Sequence, residues 1–273
     1  MNKNILYSIV TIIVVVAVIL SFAYVIPTLE KPKKVLELST YEKVSSSDLL
    51  SNGANHIYFI SWYGCPIGAD NSWVLYSLLN STTNGNVSKD VVLHRSIANT
   101  PGLLFLKGIP SDFPLNGNPY GNFMENISFS CAGVPFTFTS LYVYNQTLTG
   151  TPYNQSMGTP ASSGYNASRI NVGLSIIRGN LPAPVYNVAK EYETVVPLEN
   201  HTQSIGDLSG HLVTMIILTG PDGTYVHFWF MYPSLTSSVS PEHVFQTYRT
   251  YTPIVNAEAQ LLKALGGANV ACA

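Results

Sequence analysis

The stretch His56-Ile57-Tyr58-Phe59-Ile60-Ser61-Trp62 is an apolar and aromatic run that gives way, within a few residues, to helical periodicity. The run predicts a buried strand. Ala69, Trp73, Tyr76 and Leu79 then recur at i, i+4, i+7 and i+10, the spacing of one helix face. Pro66 suits the first helical position, because the N–H it lacks would be unpaired there anyway. Val91-Val92-Leu93-His94 reads as the next strand. Strand, helix and strand within about forty residues predict a parallel βαβ unit, which confines the chain to the α/β class.

Cys65 stands at the junction of that strand and helix. A thiol there faces unpaired backbone N–H groups and the positive end of the helix dipole, and both favour the thiolate. Gly68 occupies the place of the second cysteine in a C-x-x-C pair. Three readings of the lone thiol stay open: a redox-reactive nucleophile, one half of a structural bridge, or an inert buried hydrophobe. Cys65, Cys131 and Cys272 are too few for a disulfide-stapled scaffold. One bridge and one free thiol is the simplest arithmetic, and all three pairings remain open.

The N-terminus carries a membrane signal. Ile5 to Ile26 contains 22 residues and no charge, enough to span a hydrocarbon core of about 30 Å as a helix. A cleaved signal peptide competes, since Ser21-Phe22-Ala23 has the form of a cleavage site, but the run exceeds a signal core and favours a retained anchor. Residues 1–4 are then a cytoplasmic N-terminus, 5–26 the transmembrane anchor, 27–54 a tether with a first short helix, and 55–273 the main domain. Lys31, Lys33 and Lys34 follow the anchor against Lys3 before it, which by the positive-inside rule argues for a cytoplasmic domain. Seven N-x-Ser/Thr sequons argue the reverse, at Asn80, Asn86, Asn126, Asn145, Asn154, Asn166 and Asn200. They lead to the expectation of a single-pass protein of the cell membrane, with a glycosylated domain outside the cytoplasm.

Composition agrees with an exterior, acid-tolerant surface. Charged residues make up 10% of the chain, against about 25% in ordinary soluble proteins. Beyond residue 34 stand nine Lys/Arg and fourteen Asp/Glu, with no basic stripe. That argues against nucleic acid as a partner.

Ser45-Ser46-Ser47-Asp48 reads as the start of a short helix through Leu50. From 97 to about 200, Gly, Pro, Asn, Ser and Tyr punctuate short apolar runs, and the segment reads as a large irregular insertion with a helix near Val185 to Tyr192. Next, His211–Leu218 and Thr224–Tyr232 flank the turn Gly220-Pro221-Asp222-Gly223, a hairpin. A helical segment starts at Ser240-Pro241-Glu242, breaks before Pro253, and stops at Gly266-Gly267.

The order strand, cysteine-bearing helix, strand, insertion, hairpin, helix is that of a thioredoxin-like domain. The block from Cys65 through Pro66, Ile67, Gly68, Ala69 and Asp70 to Trp73 resembles the family catalogued as domain of unknown function 929. That family is found in membrane proteins of thermoacidophilic archaea, and typical members carry C-P-Y-C-A-A-E-x-W. The resemblance implies an α/β, thioredoxin-like sheet flanked by helices and, by analogy of fold, thiol–disulfide exchange. If the chain is an enzyme, it is expected to be thiol–disulfide oxidoreductase-like, with Cys65 as nucleophile beside Pro66. Cys131 is then the candidate resolving thiol or disulfide partner. The alternative is a redox-inactive envelope glycoprotein that binds a partner or supports the cell surface. Trp62, Tyr63 and Trp73 are candidates for an apolar platform under a protein or peptide partner, with core packing as the competing role. Val213-Thr214 falls where the thioredoxin fold places a cis-proline, and Pro135 is the candidate substitute. Asp70 reads as a helix-surface charge or as a proton acceptor under the thiol. His56, His94, His211 and His227 show no ligand spacing, so no metal or cofactor is called for.

Overall fold

A computed structural model describes residues 34–106, 124–131, 133–151, 167–231, 236 and 238–265. The expected anchor at 5–26, the sequons at Asn154 and Asn166, and Cys272 lie outside the described residues. Among those described, no helix is long and apolar enough to cross a membrane. The chain divides into two compact units, Met1–Val35 and Leu36–Ala273, and every element below belongs to the second.

The strands are β1 (Glu42–Ser45), β2 (Asn55–Ser61), β3 (Val91–Arg95), β4 (Pro101–Phe105), β5 (Met124–Cys131), β6 (Val134–Tyr142), β7 (Met215–Gly220) and β8 (Gly223–His227). The helices are α1 (Pro66–Thr82), α2 (Ala167–Asn180), α3 (Ala183–Thr194), α4 (Ile205–Ser209), α5 (Pro241–Thr247) and α6 (Thr252–Ala264). Six strands form one mixed sheet in the order β1-β8-β7-β2-β6-β5. Its centre is β2, parallel to β6 on one side and antiparallel to β7 on the other.

The absence of polar alternation in β2 follows from its position. Ile57 and Phe59 face a core built with α1, α5 and α6, whereas Tyr58 and Ile60 face a second core built with α2, α3 and α4. A strand covered on both faces has no solvent side on which to place polar residues. The helix that follows it is buried without interruption from Gly68 to Asn80. Ser77 and Asn80, the polar residues on its outward side, bond to Glu258 of α6 and to the Tyr248 hydroxyl.

The parallel partner of β2 differs from the expectation. β3 pairs only with β4, antiparallel, in a separate two-stranded sheet. The partner is β6, from within the segment read as an insertion. Burial along β3 alternates, the mark of a strand with one face packed, whereas β6 is buried throughout from Phe138 to Tyr142. The 45–50 segment is not helical either. The Asp48 carboxylate accepts from the amides of Leu50, Asn52 and Gly53 and folds the chain into a turn after β1. The hairpin forms as read, though shorter, and Gly223 at φ 122° supplies its left-handed position. The C-terminal helices break between Thr247 and Thr252, just before Pro253.

Candidate functional site

Cys65 occupies the N-cap of α1 in extended conformation, φ −69° and ψ 120°, with Pro66 as the first helical residue. Its carbonyl accepts from Ala69 N at 2.9 Å, so the predicted strand-to-helix junction is present. Thr214, just before β7, donates its hydroxyl to Cys65 Sγ at 3.0 Å. Ser61 Oγ at the end of β2 lies 2.7 Å from Thr214 Oγ1, and the three atoms form a buried thiol–hydroxyl–hydroxyl chain. The amides of Ile67, Gly68 and Thr214 also favour the thiolate, but none of the helix amides makes a full capping bond to the sulfur. Burial outweighs them: Cys65 is 3% exposed, and loss of solvent pushes its thiol above the ordinary range. The sulfur is enclosed, and burial favours its neutral thiol form.

Gly68 is closely packed against two side-chain hydroxyls. A Cβ added there would overlap Ser61 Oγ and lie 2.8 Å from Thr214 Oγ1. Both hydroxyls would have to turn away to admit a larger side chain at this position.

Cys131 does not serve Cys65. Cys65 is a free thiol, whereas Cys131 is disulfide-bonded, so the two are not joined to each other. Strand register gives the reason. Ser61 pairs with Tyr142 at one end of β6, while Cys131 pairs with Val134 at the other. Eight residues of strand separate them, about 26 Å at ~3.3 Å per residue. Pro135 shares that far end, and the described residues contain no cis peptide bond. Neither the expected resolving thiol nor the proline substitute reaches the site.

The aromatic platform is not formed. Trp62, Tyr63 and Trp73 are all buried, and the Trp73 indole N–H donates to Pro101 O at 2.9 Å. Trp62 lies edge-on to His211, ring centroids 5.3 Å apart. Asp70 is buried too, rather than exposed, and accepts a hydrogen bond from Thr236 Oγ1. Five residues along a helix turn it about 140° away from Cys65, so it does not underlie the thiol. Burial raises its carboxyl to about 8.

Two groups that the sequence reading missed, Glu193 and Tyr144, hold the site in place. Glu193 of α3 is fully enclosed, and its carboxyl oxygens accept from Val213 N at 3.1 and 3.3 Å. Its acidity is pushed well down, with a raised pKa caused by desolvation. It pins the residue before Thr214. Tyr144 extends the clamp, accepting from Leu212 N at 3.2 Å and donating to Arg169 O at 2.8 Å. The signal for Glu193 was present: it falls at i+4 and i+8 from Ala189 and Val185, on the buried face of α3. Asn71, a third omission, acts away from the thiol: it donates to Phe228 O at 2.6 Å and accepts from Phe230 N at 2.9 Å, clasping the chain after β8.

The described sequons separate into two groups. Asn80 is buried in α1 with its amide nitrogen donating to Tyr248 OH at 2.7 Å, so a glycan there is incompatible with the fold. Asn145 is consumed in a turn, its Oδ1 accepting from Thr147 N and Thr149 N and its Nδ2 donating to Thr149 Oγ1. Asn86, Asn126 and Asn200 are exposed. Among the described residues, no cluster of His, Cys, Asp and Glu could hold a metal ion. His227 directs Nδ1 to Thr40 O and stacks on Tyr41, and His94 is buried in β3.

The fold and site define an α/β domain with a mixed central sheet, helices on both faces and one enclosed thiol at a helix N-cap. The chain belongs to the family described as domain of unknown function 929, whose model matches residues 40–265. No curated protein and no solved structure matches it.

Proposed function

We propose that this chain is a thioredoxin-like module held outside the cytoplasm by the 5–26 segment, and that it serves the cell envelope as a redox-inactive binding or supporting element. The strand order β8-β7-β2-β6 supports the thioredoxin-like reading. So do the cysteine-bearing helix after β2, the helices between β6 and β7, and those after β8. This is an argument from fold, and it carries no activity with it. The exposed sequons at Asn86, Asn126 and Asn200 and the sparse charge support the exterior location. The observation that carries the redox-inactive reading is at Gly68: the position of the second motif cysteine holds no thiol, and the Ser61 and Thr214 hydroxyls pack against it.

A second reading, exchange through Cys65 alone, draws on the Thr214 hydroxyl and nearby amides around the sulfur. In it the Cys65 thiolate attacks a disulfide, forms a mixed disulfide and expels the other sulfur as thiolate. An external thiol must then release the product. Alkylation of the native protein across pH, read by mass spectrometry, separates the two. Redox inactivity requires Cys65 to label no faster than the domain opens. Rapid labelling below pH 7 would establish the one-thiol reading instead.

A further inference from the structure

β5 is the outer strand at one end of the sheet. Among the described residues β5 pairs only with β6, in unbroken register from Met124↔Leu141 to Cys131↔Val134. Proteins protect such edges with lysines, prolines, bulges or a covering element. The eight residues of β5 contain no lysine and no proline, and their pairing shows no register shift. One face of the strand is packed, with Phe129 and Cys131 in the α1-side core. On the other face Asn126, Ser128 and Ser130 are exposed, and the helical layer there packs on β2, β7, β8 and the end of β6 instead. With the half-buried Thr137 of β6, this end of the sheet presents an uncharged patch of amide and hydroxyl groups, and Thr139 lies buried beneath it.

Asn126-Ile127-Ser128 is a sequon in that patch. Thr139 Oγ1 donates to Asn126 Oδ1 at 2.6 Å, which orients the amide and leaves Nδ2 without a partner among the described residues. A glycosylated asparagine keeps its Oδ1, so this bond survives modification. Asn80 and Asn145, by contrast, have their Nδ2 groups engaged.

We infer that Asn126 carries an N-linked glycan, which lies over the hydroxyl patch of β5 and β6 and closes the sheet edge to strand addition. The donor is a lipid-phosphate-linked oligosaccharide. The Asn126 Nδ2–C1 bond forms as the sugar C1–O bond to phosphate breaks. The phosphate leaves with the electron pair, and Nδ2 gives up one proton. The inference rests on the exterior location proposed above.

Glycopeptide mass spectrometry of the full chain purified from its native cells tests it, alongside lysine labelling of intact cells with a membrane-impermeant reagent. The expected result is a glycan on Asn126, with Asn80 and Asn145 unmodified. Asn126→Gln and Ser128→Ala should each remove that glycan and increase self-association at least several-fold in sedimentation, while Asn86→Gln should not. An unmodified Asn126 in a surface-labelled protein overturns the inference and leaves the location standing. Absent surface labelling removes both. A glycosylated Asn126 whose loss leaves the protein monomeric overturns the edge-closing role.

Discussion

Gly68 and Glu193 show how single residues decide the chemistry of the Cys65 site. Restoring the family motif by Gly68→Cys should not create a working dithiol. The new side chain meets Ser61 and Thr214, and overpacking of this kind costs about 1–3 kcal/mol. Urea denaturation should register that loss, and a variant as stable as the parent with a 65–68 disulfide would refute the steric argument. Glu193→Ala leaves the buried Val213 N–H unpaired, which costs about 1–3 kcal/mol in addition to the cavity. Glu193→Gln retains an acceptor and should lose clearly less by the same measurement. Equal losses would mean that Glu193 acts through volume alone. Neither role could be read from residue type: a glycine at a motif position and a glutamate on a helix are both common.

At the scale of elements, periodicity was a good guide wherever an element is defined by its own neighbours. β2, α1, the β7–β8 hairpin, α3 and the broken pair α5 and α6 all lie where run length, helical spacing or turn residues put them. Pairing between distant strands was not legible in the same way. β3 follows α1 closely and looks like the parallel partner, but β6 fills that role because it is buried along the length that faces the central sheet. The chain after β8 also depends on a distant contact. Asn71 closes it by bonding both Phe228 and Phe230, so Asn71→Ala should accelerate amide exchange at Phe230 by at least tenfold while leaving Ile217 in β7 protected. Unchanged exchange at Phe230 would show that other contacts hold the segment.

For the whole molecule, buried ionisable groups set the response to pH. The Asp70 carboxyl is raised to about 8 by burial, so the folded state holds a proton that the unfolded chain releases near 4. Its contribution is fully present below about pH 4 and is lost as pH rises toward 8. Glu193 acts in the same direction. His94 and His227 act oppositely: burial lowers both to about 4. Their contribution is complete above the ordinary imidazole value of about 6.5 and is lost as pH falls through 4. Between about 4 and 6.5 the two sets offset each other. Above 6.5 only the carboxyls still act, and stability should decline toward pH 8 by up to about 1.4 kcal/mol per pH unit for each proton released. Thermal melts from pH 5 to 8.5 check this, and Asp70→Asn should flatten the decline. A parent melting temperature that climbs steadily through this range would contradict it.

The sequence by itself determined the strand-to-helix junction at Cys65, the missing second cysteine and the family, because each is written in adjacent residues or in a short fixed spacing. Only the tertiary structure decided that the thiol is enclosed, that Cys131 stands at the opposite end of the sheet, and that Asn80 faces inward while Asn126 faces out. Those outcomes depend on which distant surfaces pack together. The burial of these particular groups and the strand register are properties of that packing, and the residues beside them in sequence do not encode them.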